Sequence, residues 1–265
     1  MIALAQVKPW IPSSATLRHY VIAKLRSLGL SPEIMPFRTF LSSGENVIVD
    51  ICRQEDGSAG PRRLIGAHYD CCELYDNLGS VLCLIEAAAS LYHGNTRHAW
   101  RIVFWDAEEC FQQGSNAYLA RGSVLTHSTK GGVEHSECLK HDGVYVDVDG
   151  MGVGPCLFAR QIVQNTSNSR LSNSRFLLDA DVFFRHGIPS FHIFSGPRSF
   201  REIYARDGLL GCHLALCENE LATFQNWRRA MPLCRQSIMK LVAAWEELSL
   251  LDALHETGVI CLTTI

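Results

Sequence analysis

Two apolar runs in the first half of the chain lack the polar alternation of a half-exposed strand. LIGA (64–67) leads into His68-Tyr69-Asp70, and AWRIVFW (99–105) leads into Asp106-Ala107-Glu108-Glu109. Such runs read as strands buried on both faces, as in parallel sheets. NVIVDIC (46–52) reads as another strand, and the turn-rich QEDGSAGPR after it predicts a hairpin into the strand that ends at His68. Between strands the period becomes helical. Ser14 is placed to cap a helix over Thr16–Leu28, stopped by Gly29, with Leu17, Val21, Leu25 and Leu28 on one face. After Asp76-Asn77, the residues Val81, Leu84, Ile85, Ala88 and Leu91 form a second helical stripe, and Gly114 to Ala120 reads as a helix start. Further on come a strand over Val144–Val148, a short helix in LLDADVFFR, a strand over Ile188–Phe194 and a closing helix over Phe224–Leu248, with a break expected at Pro232. Residues 122–142, which hold His127, His135 and His141, read as a solvated loop; Arg160–Arg175 reads as a mobile loop and 195–212 as irregular. The alternation of strand and helix predicts an α/β fold: a mostly parallel mixed central sheet flanked by helices on both faces. No repeat or linker divides the chain, so 1–265 is expected to be one domain.

Composition narrows the class. At 265 residues, 47% of them hydrophobic, the chain can bury a sizeable core. A net charge of −3 gives no electrostatic case for nucleic acid or an anionic membrane surface. No apolar run reaches the length of a membrane span. The first fourteen residues lack a basic start and an apolar core, so no signal peptide is expected, and a cytoplasmic setting is. The eleven cysteines are odd in number and include the adjacent Cys71 and Cys72 but no CxxC pair. That pattern predicts reduced thiols rather than a disulfide framework. Cys71, Cys72, Cys110 and Cys212, which adjoin the candidate site residues in sequence, read as small packing residues.

The chemistry-bearing residues sit at strand ends, where open parallel sheets bind ligands. His68, Asp76, Glu109 and Asp149 each close or follow a strand, so all four are expected at one crevice. Imidazole and carboxylate are the donors a zinc ion takes, with a catalytic site keeping one position for water. Asp70, two residues beyond His68, is placed to orient that imidazole. In the pair Glu108-Glu109 one carboxylate can bind metal while its neighbour accepts a proton. A shared bridging Asp would suit two ions about 3.5–4 Å apart. Singly, each motif has a plainer explanation: an acidic pair favours a helix N-terminus, and Asp76-Asn77 can be a cap. Their order and common position at strand ends favour the metal-site explanation.

Taken as a set, GAHYD (66–70), DNLGS (76–80), FWDAEECFQQGS (104–115), VDVDGMG (146–152) and LDADVFFRHGIP (178–189) resemble the zinc-dependent exopeptidase superfamily. That superfamily contains di-zinc aminopeptidases and glutaminyl-peptide cyclotransferases, and the likeness extends over nearly the whole chain. It implies the zinc exopeptidase fold, a phosphorylase/hydrolase-like architecture, and one or two zinc ions. It implies metal-ligand roles for His68, Asp76 (bridging), Glu109 and Asp149, with Asp147 a rival to Asp149. It implies a general base in Glu108 and supporting catalytic roles for Asp70 and Asp179. The last ligand should be a histidine after Gly187-Ile188-Pro189: His213, or alternatively His192, which is predicted inside a strand and there reads as a packed core residue. Some positions depart from the family pattern. Only eight positions separate His68 from Asp76, and Ala180, Leu214 and Cys217 stand where the family carries His, Thr and Asp.

The resemblance implies a metal-dependent amide hydrolase, an aminopeptidase acting on a peptide or small aminoacyl compound. Two alternatives stand beside it: a single-zinc cyclotransferase-like enzyme using Asp76, Glu109 and His213, and an inactive relative acting as a binding protein.

Overall fold

Ser13, one residue before the expected cap, accepts the Thr16 amide at 3.3 Å and opens the first helix. Gly29, at φ +85°, takes the left-handed position just past its end. The computed structural model describes residues 13–51, 62–70, 76–94, 96–124, 142–163, 178–218 and 224–262. Within these, the helices are α1 (Ser14–Ser27), α2 (Leu78–His93), α3 (Gln113–Val124), α4 (Asp179–Arg185), α5 (Phe200–Glu218), α6 (Phe224–Glu247) and α7 (Leu250–Glu256). The strands are β1 (Glu33–Arg38), β2 (Ser43–Ile51), β3 (Arg62–His68), β4 (Trp100–Trp105), β5 (Asp142–Val148), β6 (Cys156–Gln161), β7 (Ser190–Gly196) and β8 (Ile260–Leu262). They form one sheet in the order β1-β2-β4-β3-β5-β7-β6-β8. Its four central strands are mutually parallel, and the outer partners β1, β2 and β6 join antiparallel.

Both faces of the sheet are covered, as the unbroken apolar runs require. Ile65, Ala67, Ile102, Phe104, Val146 and Ile193 face one side and pack with α1, α2, α6 and α7. The alternate positions Leu64, Val103, Trp105 and Tyr145 face the other side and pack with α3 and α4, and Phe158 and Phe194 pack there with α5. Trp100, Trp105, Tyr145, Phe104 and Phe158 are among the largest fully buried side chains. Each such burial stabilises the fold by roughly 1.5–3 kcal/mol. His68 alternates with Ala67 and therefore belongs to the face that carries Leu64, beneath α3 and α4.

Several expectations require correction. β2 and β3 are not a hairpin: β4 lies between them, antiparallel to β2 and parallel to β3. A strand as apolar as β2 gains from a neighbour on each edge, and the ten residues separating it from β3 are enough to pass one strand. Residues 195–212 are mostly helix, since α5 begins at Phe200; Gly208, at φ +67° and ψ −161°, kinks it and disguises the period. Helix α6 continues through Pro232. That proline lies on the exposed face, so the carbonyl it leaves unpaired is in reach of water, while Met231, Cys234 and Ile238 hold the helix to the core. Arg160 and Gln161 are strand, not loop. β1, β8 and α7 escaped prediction because they are short, and β1 carries Pro36, which an edge strand tolerates. Residues 52–61, 71–75 and 125–141, with His127, His135 and His141, lie outside the described residues, as does most of the expected loop after Arg160. No described helix is long and apolar enough to cross a membrane.

Candidate active site

Parallel pairing places the ends of β3, β4 and β5 on one rim. His68 is level with Trp105, and Gly66 with Asp147. His68, ending β3, is buried, at 2% exposure. Its Nε2 lies 3.0 Å from Asp76 Oδ1, just before α2, and 3.6 Å from Asp149 Oδ1, just past β5. One donor atom from each of the three lies within 4.8 Å of the others, and the same holds for His68, Glu108 and Glu109. On the far side of the ring, His68 Nδ1 and Asp70 Oδ1 approach to 3.3 Å, an ion-pair contact without aligned hydrogen-bond geometry. Asp70 Oδ2 accepts the Glu109 amide at 3.1 Å. Asp70 therefore ties the imidazole to the acidic pair.

The electrostatics follow from burial and crowding. Burial alone would lower the His68 pKa, but the close carboxylates of Asp149, Asp70 and Asp76 outweigh it and raise the value well above the usual imidazole range. Asp149 shows the reciprocal effect: burial would raise its pKa, and His68 pulls it below the carboxylate norm. Glu108 is pushed up to about 9, first by burial and then by the fields of Asp179 and Asp149, against the lowering field of His68. Gln112 Nε2 donates to Glu108 Oε1 at 3.2 Å and fixes its orientation. Asp179, at the start of α4, is 1% exposed and accepts Ser115 Oγ at 2.5 Å. Burial and the neighbouring Asp147 raise its pKa far above normal.

The turn that presents Glu108 and Glu109 is strained. Ala107, Phe111 and Gln112 have φ of +56°, +64° and +52°, the left-handed region, although none is glycine. Such residues cost on the order of 1 kcal/mol each and persist only where surrounding structure over-determines them.

The sequence-derived candidates separate into two groups. His68, Asp70, Asp76, Glu108, Glu109 and Asp149 come together. Asp147 does not join them: its Oδ2 lies 3.3 Å from His192 Nδ1, and its Oδ1 accepts the Tyr145 hydroxyl at 3.2 Å. His192 is on β7, buried and paired with Asp147 rather than with the cluster around His68. His213 lies on α5 beyond the Gly208 kink, and its side chain is outside the described residues. Asp179 stands behind Glu108, close enough to act on it electrostatically. Sequence reading passed over Gln112 and gave Ser115 no role. Both follow the acidic pair within one or two helical turns, and that proximity is the signal that could have found them.

The donor set suits zinc: imidazole and carboxylate oxygens converge on one point from three elements, and the like charges that crowd there are of the kind a cation relieves. His68, Asp76 and Asp149 would hold the ion, with Glu109 beside them.

Comparison with known proteins bears on the fold and the family. The chain superposes on Legionella pneumophila LapA at 12% identity and a TM-score of 0.53, covering 86% of this chain and 64% of that one. It superposes on the glutaminyl cyclase of Macrostomum lignano at 17% identity and a TM-score of 0.56, covering 85% and 80%. The match to the glutaminyl cyclase of Porphyromonas gingivalis has 16% identity and a TM-score of 0.51, covering 95% and 89%. The chain thus spans just under two thirds of the length of LapA. At these identities the likeness concerns the fold. No curated protein sequence matches the chain. The profile of peptidase family M28 matches residues 46–204, well over half of the chain and inclusive of every residue gathered around His68. On that match, and with His68, Asp76 and Asp149 meeting at one point, the chain belongs to peptidase family M28.

Proposed function

We propose that the protein is a zinc-dependent aminopeptidase that releases the N-terminal residue of a peptide or small aminoacyl compound. The observation that carries this reading is the meeting of His68, Asp76 and Asp149 within 4.8 Å, with the half-buried carboxyl of Glu108 beside them. When bound, zinc supplies a water of lowered pKa and a Lewis-acid contact for the scissile carbonyl. The chain's own residues do the rest. Glu108, oriented by Gln112, takes the proton of the attacking water on its carboxylate and returns it to the leaving amine. Asp70 holds His68 in the orientation its partners need and pins the backbone of Glu109. Asp179, held by Ser115, competes with Glu108 for protons: whichever of the two is ionised raises the proton affinity of the other. A dication among the acids would lower Glu108 from about 9 toward neutrality, the range in which a general base works best.

A second reading, a glutaminyl cyclase-like enzyme, is favoured by the likeness of fold: the chain superposes on two glutaminyl cyclases at TM-scores of 0.56 and 0.51. There Glu108 would pass a proton from an attacking amine to a leaving amide. The deciding experiment loads the full chain with zinc and assays aminoacyl-4-nitroanilides alongside glutaminyl peptides. Release of nitroaniline, lost in Glu108→Gln while zinc is retained, supports the aminopeptidase. Pyroglutamate formation without nitroaniline release sinks it in favour of the cyclase.

A further inference from the structure

The strained turn over 106–114 must be held by something, and the contacts around it converge on one side chain that the chemistry above does not use. Asn46, on β2, is completely buried. The β2–β4 ladder ends at the pair Val47 and Phe104. Beyond it the Asn46 side chain takes over the role of the ladder. Its Oδ1 accepts the Asp106 amide at 3.1 Å, where the turn begins, and its Nδ2 donates to the Gly114 carbonyl at 2.9 Å, where the turn ends. A backbone N–H on one side and a carbonyl on the other fix which way the amide points. Asp106 adds a second tie, accepting the Glu45 amide on Oδ2 at 3.0 Å.

There is no slack in this arrangement. A Cβ on Gly114 would stand 2.3 Å from the Asp106 carbonyl oxygen and 2.5 Å from Asn46 Oδ1. A Cβ on Gly44 would stand 2.6 Å from Asp106 Oδ2. Inside the clamped ends, the Gln112 amide donates to Glu108 O at 2.8 Å and the Gln113 amide to Ala107 O at 2.9 Å. Those two bonds fold the turn back on itself and aim the acidic pair.

We propose that Asn46 is a positioning residue: it clamps the two ends of the 106–114 turn and so holds Ala107, Phe111 and Gln112 in left-handed conformations that set Glu108 and Glu109 against His68. The proposal rests on the hydrolytic role given to Glu108, but its structural part stands without it. No other side chain type does the same work. Asn46→Asp keeps the volume and the acceptor but sets a carboxylate oxygen against the Gly114 carbonyl. Gly114→Ala breaks the same clamp from the other end.

The test uses the full chain and two readouts. The first is amide hydrogen exchange in the zinc-free protein. In Asn46→Asp and Gly114→Ala, exchange at Gln112 and Gln113 should speed up about tenfold or more, as expected for loss of a net hydrogen bond, while amides of β3 and β5 keep their parental rates. Val49→Ala, a core truncation on the same strand, serves as the control: it should lower overall stability without singling out those two amides. The second readout is steady-state kinetics at saturating zinc on an aminoacyl-4-nitroanilide. For both clamp variants kcat should fall roughly hundredfold, as for a small misplacement of a catalytic group, with KM changed by less than about threefold. Parental exchange at Gln112 and Gln113 in both variants overturns the proposal, and so does a general rise across the sheet like that of Val49→Ala. The unmodified protein offers a check that needs no variant. The clamp requires slow exchange of the Asn46 side-chain amide, and a fast one refutes it. If the parent releases no nitroaniline, the aminopeptidase reading fails, while the exchange data still decide the clamp.

Discussion

At the two ends of the parallel strands, acidic side chains are treated in opposite ways. Where β4 begins, Glu246 on α6 is set among waiting donors. Its Oε2 accepts the Arg97 amide at 2.8 Å, Oε1 lies 2.8 Å from Thr96 Oγ1, and Oε1 also accepts the Trp100 indole N–H. Trp100 packs edge-on against Trp245 at 4.8 Å, and the Arg63 guanidinium lies over both rings. Where β3, β4 and β5 end, Asp76, Asp149, Asp70 and Glu108 crowd one imidazole, and Asp70 Oδ1 and Asp179 Oδ2 have no hydrogen-bond partner among the described residues. One end spends its acid on stability. The other accepts a repulsive cluster, which only a bound cation or protons can relieve. The contrast separates what holds the sheet together from what the sheet presents.

The largest effect should come from the rim cluster. Glu108→Gln removes the proton carrier but leaves the other donors in place, so kcat should drop by roughly 10²–10⁴ with zinc content unchanged, as measured by metal analysis beside steady-state assay. Next in size is Asp70→Ala. It frees the His68 ring and the Glu109 backbone together, and zinc affinity should weaken by about 10- to 100-fold in a chelator competition. Parental affinity in that variant would mean that Asp70 does not position the ligands.

The crowding also predicts a pH dependence of the metal-free protein. His68 has a folded pKa above its ordinary 6.5, so its contribution is full below that value and is lost as pH rises through the folded pKa. Glu108 is raised from 4.5 to about 9, so between those values the folded state binds more protons than the unfolded state, and stability again falls as pH rises. Both act in one direction. The urea midpoint of the apo protein should decline from about pH 5 to pH 9, more shallowly in Glu108→Gln, and zinc should stabilise more strongly at the upper end as it displaces the proton from His68. A midpoint that rises with pH across this window would show that the acids are not buried together.

The sheet and the rim were legible from sequence for a physical reason. LIGA and IVFW are apolar on both faces, and that property is local; so are His68, Glu108 and Asp149 at the ends of strands. What was illegible depends on partners far along the chain. Nothing near β2 says that β4, not β3, will be its neighbour. The rivalry of Asp147 with Asp149 could not be resolved by spacing, because it turns on which carboxylate meets His192 across two strands. Asn46 reads as an ordinary strand start, and only the packing of β2 against the turn after β4 reveals a polar side chain with no exposure. Gly208 hides α5 because a single left-handed residue breaks the period that a helix is recognised by.

The smallest effect, and the one that sharpens the contrast between the two ends, belongs to Glu246→Gln. The substitution keeps one acceptor oxygen for Trp100 and Thr96 but turns an NH2 group toward the Arg97 amide, leaving two donors face to face. Because Glu246 is only half-buried, water can relieve part of the mismatch, and the loss should be about 1–2 kcal/mol of unfolding free energy rather than the larger penalty of a sealed site. Zinc affinity and kcat should stay at parental values, since the described partners of Glu246 are Thr96, Arg97 and Trp100 and none of the residues gathered around His68. The measurement is a urea titration paired with chelator competition on one preparation. If stability is unchanged while zinc affinity shifts, the two ends are coupled through the strands, and the division between a stabilising end and a reactive end does not hold.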